Sequence, residues 1–141
     1  VGDIANHDHP TLGRRIRVEH WATALNQPAT AAAAMLGEDT TYGDLPYFFS
    51  DQYDLGMEYI GNAPIGSYEQ VVVRGDLAGR EFVAFWLDGE QRILAAMNVN
   101  VWDVNKHVEM LIRSRQAVDV AALIDPDTPL VSLIGQATPD S

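Results

Sequence analysis

The sequence predicts an α+β fold, in which an antiparallel sheet of about five strands is followed by helices and preceded by a separate strand–helix segment. Two features predict it. Apolar, β-prone runs alternate with turn signals between residues 46 and 99, and helical periodicity follows them. Before these runs stands an alanine-rich helical stretch over residues 21–36, whose pattern sets it apart from the strands.

The strand–helix segment occupies residues 1–40. Alternating apolar and charged residues predict a short strand over residues 16–18, before the helical stretch. Pro28 lies inside that stretch and would cost about 3 kcal/mol in an ideal helix interior, so we expect a kink or a restart there. Acidic residues, glycine and proline in residues 37–46 predict a linker to the second region.

Strand signals fill the middle of the chain. Apolar residues between Phe48 and Ile60 suggest a strand, and Asp88-Gly89 is a two-residue turn signal between two β-prone runs. The remaining strand candidates are residues 71–73, 81–87 and 92–99, with a hairpin connection at 76–79. Consecutive strands joined by short turns pair most simply as antiparallel neighbours.

Helices are predicted for the C-terminal part. Asp103 is placed to cap a helix whose apolar residues recur at helical spacing. Those residues are Val104, Val108, Leu111 and Ile112. A second short helix is predicted over residues 118–123, with Asp119 near its start and Asp125-Pro126 after its end. Residues 135–141 are expected to form a frayed tail.

Composition excludes several classes of function. The 141 residues carry a net charge of −11 with a pI near 4.5, which argues against nucleic acid or an anionic membrane surface as a partner. The sequence contains no cysteine, so it offers no disulfide, no thiolate nucleophile and no cysteine ligand for an iron–sulfur cluster. That composition fits a cytoplasmic protein, and no apolar run approaches the roughly 20 residues that cross a bilayer.

The chain resembles a known family over nearly its whole length. The segments that carry the resemblance are GDIA at 2–5, RVEHW at 17–21, ALNQ at 24–27, PYFFSDQY at 46–53, VVVRG at 71–75 and VN at 99–100. Their order and spacing resemble the end of the FAD domain and the C-terminal domain of ferredoxin reductases of the putidaredoxin-reductase type. These reductases serve cytochrome P450s and aromatic-ring dioxygenases. The chain departs from the family at Pro28, where glycine is usual, and at Tyr47 and Phe49, where tryptophan is common.

The resemblance implies a division of the chain at residue 40. Residues 1–40 would be the C-terminal remnant of an FAD-binding domain, and residues 41–141 the reductase C-terminal domain for interfaces or dimerisation. No GxGxxG motif occurs in the sequence, so NAD(P)H would bind to a domain outside it. The chain starts on Val1 rather than methionine, which we interpret as a fragment that is inactive when isolated.

The resemblance also implies cofactor-binding residues. Asp3, after the permissive Gly2, would accept a hydrogen bond from a ribityl hydroxyl of FAD. The backbone of Trp21 and Ala22, at a helix start, would face the pyrimidine edge of the isoalloxazine ring. Two neighbours of this helix start, Glu19 and His20, are further candidates, although His20 fits simple packing as well.

Arg14, Arg15 and Arg17 are the one basic cluster in this acidic chain, and they would dock a [2Fe–2S] ferredoxin, or else solubilise a strand edge. His7-Asp8-His9 places two histidines and a carboxylate within three residues, which suggests a metal site. The sequence offers no third cluster of ligand residues, so no metal site is predicted. No catalytic residue is assigned to the chain itself. The alternative function is a non-catalytic self-association or docking module, with a homodimer as the possible assembly.

Overall fold

A computed structural model describes residues 1–135, so the predicted tail is covered only at its first residue and otherwise lies outside the described part. The described chain is α+β, as the sequence predicts. Its strands are β1 (Asn6–His9), β2 (Arg14–Arg17), β3 (Tyr47–Gln52), β4 (Leu55–Gly61), β5 (Gln70–Asp76), β6 (Glu81–Leu87) and β7 (Ile93–Val99). Its helices are α1 (Trp21–Met35), α2 (Asn105–Ser114) and α3 (Val120–Ile124), with 3-10 helices at Gly2–Ile4 and Leu130–Leu133.

The chain forms two compact units that divide between Phe48 and Phe49. In the first unit, β1 and β2 form an antiparallel hairpin, and the first 3-10 helix packs on α1. Strand β1 was not predicted, because its sequence, NHDH, has polar residues where a strand pattern needs apolar ones. The division between Phe48 and Phe49 concerns packing. The predicted boundary at residue 40, which assigns residues 1–40 to an FAD-binding domain, stays a prediction.

Helix α1 runs through Pro28 as one continuous helix, so the restart expected there does not occur. Proline removes one backbone hydrogen bond and crowds the preceding turn. Thr23 and Gln27, the two buried residues of α1, both precede Pro28 and pack the first half of the helix against its unit. The propensity penalty is therefore outweighed by packing.

The second unit is built on a five-stranded antiparallel sheet in the order β3-β4-β7-β6-β5. The strand signal between Phe48 and Ile60 resolves into two strands, with a tight turn at Tyr53 and Asp54 that places Tyr53 in left-handed backbone, φ 57°. Helix α2 packs on β4 and β7, and α3 packs on β5. The largest fully buried apolar side chains come from β6 and the helices and are Phe85, Leu87, Val108, Leu111 and Leu123.

One expectation about an individual residue in the second unit is wrong, and another is confirmed. Asp103 does not cap α2: the N-cap is Val104, and Asp103 precedes it in left-handed backbone with φ 63°. Trp102 is half exposed, and the edge of its ring lies close to Gly56, where an added Cβ would meet Cη2 at 2.4 Å. The predicted cap of α3 is confirmed, because the Asp119 carboxylate accepts hydrogen bonds from the amides of Ala121 and Ala122.

Among residues 1–135, none of the helices combines the length and the apolar character that a membrane crossing requires.

Arg74 on β5 ties the C-terminal segment to the sheet. Its guanidinium donates to four backbone carbonyls, those of Leu123 at 3.2 Å, Asp125 at 2.6 Å, Pro126 at 3.0 Å and Thr128 at 2.8 Å. These carbonyls end α3 and form the loop after it, where the Thr128 hydroxyl and the Asp127 amide also donate to Asp125 and lower the pKa of its carboxyl. A cation at a helix C-terminus satisfies carbonyls that the helix leaves free.

Replacing Arg74 with Met keeps an unbranched side chain but removes all four donors. We expect Arg74→Met to lower the free energy of unfolding by about 2–3 kcal/mol in urea titrations. The matched control is Arg80→Met, because Arg80 makes an exposed ion pair with Asp54 at 3.5 Å that is worth at most about 0.5 kcal/mol. Equal losses for the two variants would contradict the structural role of Arg74.

Candidate functional site

The residues predicted to contact a cofactor all lie in the first unit, in two short stretches. Gly2 and Asp3 belong to the first 3-10 helix, and Glu19 to Ala22 span the end of the hairpin and the start of α1. The 3-10 helix packs on α1, so both stretches belong to one packed substructure.

The turn that carries Asp3 is held by three hydrogen bonds to its backbone, two of which involve side chains. The Gly2 amide donates to Oε1 of Gln27 at 2.8 Å, the Ala5 amide donates to the Gly2 carbonyl at 2.9 Å, and Arg17 donates to the Asp3 carbonyl at 3.1 Å. Gly2 is buried with φ +71°, a conformation that side chains disfavour. The Asp3 side chain is exposed, and within residues 1–135 its carboxylate has no hydrogen bond or ion pair.

The start of α1 has no side-chain cap. His20 is the N-cap in extended backbone, it makes no capping hydrogen bond, and the first helical turn contains no acidic residue. The first amides of a helix lack intrahelical partners and carry part of the positive end of the helix dipole. Trp21 is 73% exposed, so its side chain is not part of the core of this unit. This helix start can therefore accept an anionic or carbonyl-bearing ligand.

Glu19 and His20 are already engaged within the unit. The Glu19 carboxylate forms an ion pair with Arg17, and the ring of His20 lies against Phe48 with centroids 4.7 Å apart and planes tilted by 35°. This geometry favours packing for His20. A cofactor contact by either residue stays a prediction.

The basic cluster lies along β2. Ile16 is buried, and Arg15 and Arg17 share the opposite, exposed face, as strand alternation predicts. Arg15 donates to the Asn6 carbonyl at 2.5 Å and pairs with Asp8 at 3.8 Å. Arg14 is also exposed. The ion pairs of Arg15 with Asp8 and of Arg17 with Glu19 are solvent-exposed, so each contributes little stability and can exchange for an interaction with another anion.

The two histidines of the HDH sequence serve the hairpin rather than a metal. His9 is 1% exposed, its Nδ1 accepts from the Leu12 amide at 3.3 Å, and its Nε2 therefore donates to the Asp44 carbonyl at 2.9 Å. His7 Nδ1 lies 3.2 Å from Nε2 of Gln27. Across the described part of the chain, no group of three or more histidine, cysteine or acidic side chains has the geometry to hold a metal ion.

Sequence reasoning missed Gln27 as a site residue. Its side chain is 5% exposed and connects the Gly2 amide to the His7 ring. The signal was present only in the ALNQ segment of the resemblance, where the glutamine has no charge or motif that marks a role. A buried amide with two long-range partners becomes visible only when the chain is folded.

The second unit has a surface cavity of about 490 Å³ between the β5–β6 end of the sheet, α2 and the last 3-10 helix. Its lining is mostly aliphatic, with Arg74, Glu81, Asp103 and His107 as the charged or titratable members. The Arg74 guanidinium in this lining already donates to four backbone carbonyls.

Comparison with known proteins identifies the family. A profile of the reductase C-terminal family matches residues 47–134, and this chain belongs to that family. The anthranilate 1,2-dioxygenase system ferredoxin–NAD(+) reductase component of Burkholderia cepacia is 40% identical over 134 residues, which cover 95% of this chain and 32% of that protein. Putidaredoxin reductase of Pseudomonas putida is 33% identical, with 97% of this chain and 32% of that protein covered.

A solved structure agrees with these relatives. The covalent complex of putidaredoxin reductase with putidaredoxin superposes with a TM-score of 0.82 at 33% identity, over 95% of this chain and 31% of that one. The chain thus spans about a third of the length of the relatives it matches. The matches extend well beyond residues 47–134 and include the first unit.

The His7 environment predicts that stability depends on pH. Burial is the main cause that lowers the pKa of His7 below 6.5; Asp8 opposes this and Arg15 adds to it, while the His9 and Tyr42 rings lie 6.0 and 5.5 Å away. Below pH 6.5 the unfolded chain therefore binds more protons than the folded chain. The free energy of unfolding keeps its full value with respect to His7 above that pH and falls as the pH drops through it.

We expect amide hydrogen exchange in β1 and α1 to quicken between about pH 7.5 and 5.5, after correction for intrinsic exchange rates. The His7→Gln variant keeps a polar side chain without a group that titrates there, so its protection should change less over the same interval. An equal change in both proteins would show that His7 is not the group responsible.

Proposed function

We propose that this chain forms the C-terminal part of an NAD(P)H-dependent ferredoxin reductase, which carries electrons through FAD to the [2Fe–2S] ferredoxin of a P450 or dioxygenase system. The observation that carries the proposal is the 40% identity to a ferredoxin–NAD(+) reductase component over 95% of this chain. That match includes the first unit, so it supports more than the family assignment of residues 47–134.

The residues of the first unit fit an FAD. Asp3 has an exposed carboxylate with no partner in the described chain, on a turn where the buried Gly2 brings the backbone close to α1. The start of α1 has no side-chain cap. Exposed Trp21 and Leu25, four residues apart, add an apolar face on the same helix. A hydroxyl-bearing ribityl chain, a polar ring edge and an apolar ring system match these three features.

Each residue would have a distinct task. When bound, FAD supplies the chemistry that accepts a hydride and releases electrons singly. The Asp3 carboxylate would accept a hydrogen bond from a ribityl hydroxyl and so orient the cofactor. The amides of Trp21 and Ala22, at the positive end of the α1 dipole, would stabilise negative charge on the pyrimidine edge of the ring. NAD(P)H would bind elsewhere in the parent protein, the longer reductase that contains this chain.

The proposal of a ferredoxin partner rests on the charge of three arginines and on the similarity of this chain to a relative of known structure. A relative of this chain has been solved in a covalent complex with putidaredoxin. Arg14, Arg15 and Arg17 gather positive charge in a chain of net charge −11, which suits an acidic electron-transfer partner. Such a cluster speeds encounter more than it strengthens the final complex. Self-association of the second unit stays an alternative prediction, which light scattering tests.

Removing the Asp3 carboxylate tests the cofactor site. We expect Asp3→Ala in the parent protein to weaken FAD binding by about tenfold or more, because a charge-assisted hydrogen bond is worth roughly 1.5–3 kcal/mol. Flavin absorbance after gel filtration and fluorescence titration of the apoprotein would measure the loss. The matched control is Asp39→Ala, since Asp39 is an exposed acid in the linker of the same unit.

Two outcomes would count against the site. Equal flavin retention in the Asp3→Ala variant and the wild type would remove Asp3 from the pocket. A parent protein that binds no flavin in any form would overturn the proposed function itself.

Neutralising two arginines tests the docking surface. We expect the double variant Arg14→Gln, Arg15→Gln to raise the KM for ferredoxin about three- to tenfold at low salt, with reduction of a small dye unchanged, and to flatten the salt dependence of the rate. Arg17 is left intact because it supports the Asp3 turn. The control variant Arg80→Gln, Arg113→Gln removes two other ion-paired arginines and should leave the KM unaltered.

A further inference from the structure

Gln27 joins the two elements that the proposed cofactor site needs. It lies on α1, five residues after Ala22, and its Oε1 accepts the buried hydrogen bond from the Gly2 amide at 2.8 Å. At 1.5 Å per residue, Gln27 lies about 8–9 Å along the helix from its start. The Gln27 side chain therefore fixes the position of the turn that carries Asp3 relative to α1, whose first amides have no side-chain cap.

The orientation of the Gln27 amide is set by its partners. A backbone N–H can only donate, so the oxygen must face Gly2. The NH₂ group then faces His7 Nδ1 at 3.2 Å, which must accept, and the proton of the neutral His7 ring lies on Nε2. That Nε2 is buried and has no partner in the described structure, so the ring has no competing bond that would turn it away.

We propose that Gln27, held by His7, is a positioning residue that aligns Asp3 with the amino end of α1 for FAD. This inference rests on the proposed function. Gln27 touches neither the cofactor nor the reacting atoms; it acts through the Gly2–Asp3 backbone. Arg17, which donates to the Asp3 carbonyl at 3.1 Å, braces the other side of the same turn.

Two substitutions separate positioning from simple loss of polarity. Gln27→Leu removes both hydrogen bonds, and we expect FAD affinity of the parent protein to fall at least fivefold. Gln27→Glu keeps an oxygen for the Gly2 amide and offers His7 an acceptor, which a protonated His7 can satisfy. We expect the FAD affinity of Gln27→Glu to stay within about twofold of wild type at mildly acidic pH, because the carboxylate beside His7 favours the protonated imidazole. Asn26→Leu places the same side chain on the exposed face of the same helix and should change nothing.

The decisive readout is the coupling between Gln27 and Asp3. If Gln27 acts through Asp3, then Gln27→Leu should weaken FAD binding by less than about twofold in a protein that already carries Asp3→Ala. Fully additive losses of FAD affinity would mean that Gln27 contributes only to general stability, and they would overturn the inference. An unchanged FAD affinity in Gln27→Leu alone would also overturn it. If Asp3→Ala weakens FAD binding and Gln27→Leu does not, this inference fails but the proposed function stands. If the wild-type parent protein binds no flavin, the proposed function fails as well.

Discussion

The hydrogen bond from the Gly2 amide to the buried Gln27 side chain is the constraint on which the first unit depends. It holds the first turn of the chain on α1 and is itself held by His7, which belongs to β1. A broken link would strand a buried donor and a buried acceptor at a cost of about 1–3 kcal/mol. The first 3-10 helix, β1 and α1 are thus connected through one side-chain amide, and the exposed Asp3 carboxylate belongs to the 3-10 helix that this amide holds.

Much of the second unit could be predicted from sequence because its signals are local. The run EFVAFWL forms β6, the turn signal at Asp88-Gly89 leads towards β7, and Asp119 caps α3. The four carbonyl contacts of Arg74 could not be predicted, since its partners lie about fifty residues away in sequence and are backbone atoms. Asp103 failed as a cap because local pattern cannot show that the chain turns left-handed before the helix begins.

The candidate site divides in the same way. Gly2, Asp3, Trp21 and Ala22 were predicted from the resemblance of short motifs, and the structure places them on the first turn and at an uncapped helix start. Gln27 and His7 escaped because periodicity arguments search for buried apolar residues, whereas the buried face of α1 consists of Thr23 and Gln27. The restart expected at Pro28 does not occur for a related reason: helix propensity includes the lost backbone hydrogen bond, but it does not include the buried side chains that precede the proline.

Helix α1 has the reverse of the usual amphipathic arrangement, because it buries polar side chains and exposes Trp21, Leu25 and Met35. Covering a large apolar side chain of this kind contributes about 1.5–3 kcal/mol, so the exposed face favours a further contact that the unit alone does not supply. The buried polar face provides directional bonds, which fix the helix in one orientation more strictly than apolar packing does. Under the proposed function these two properties work together: the polar face sets where the helix start points, and the apolar face is left for the cofactor and the protein around it.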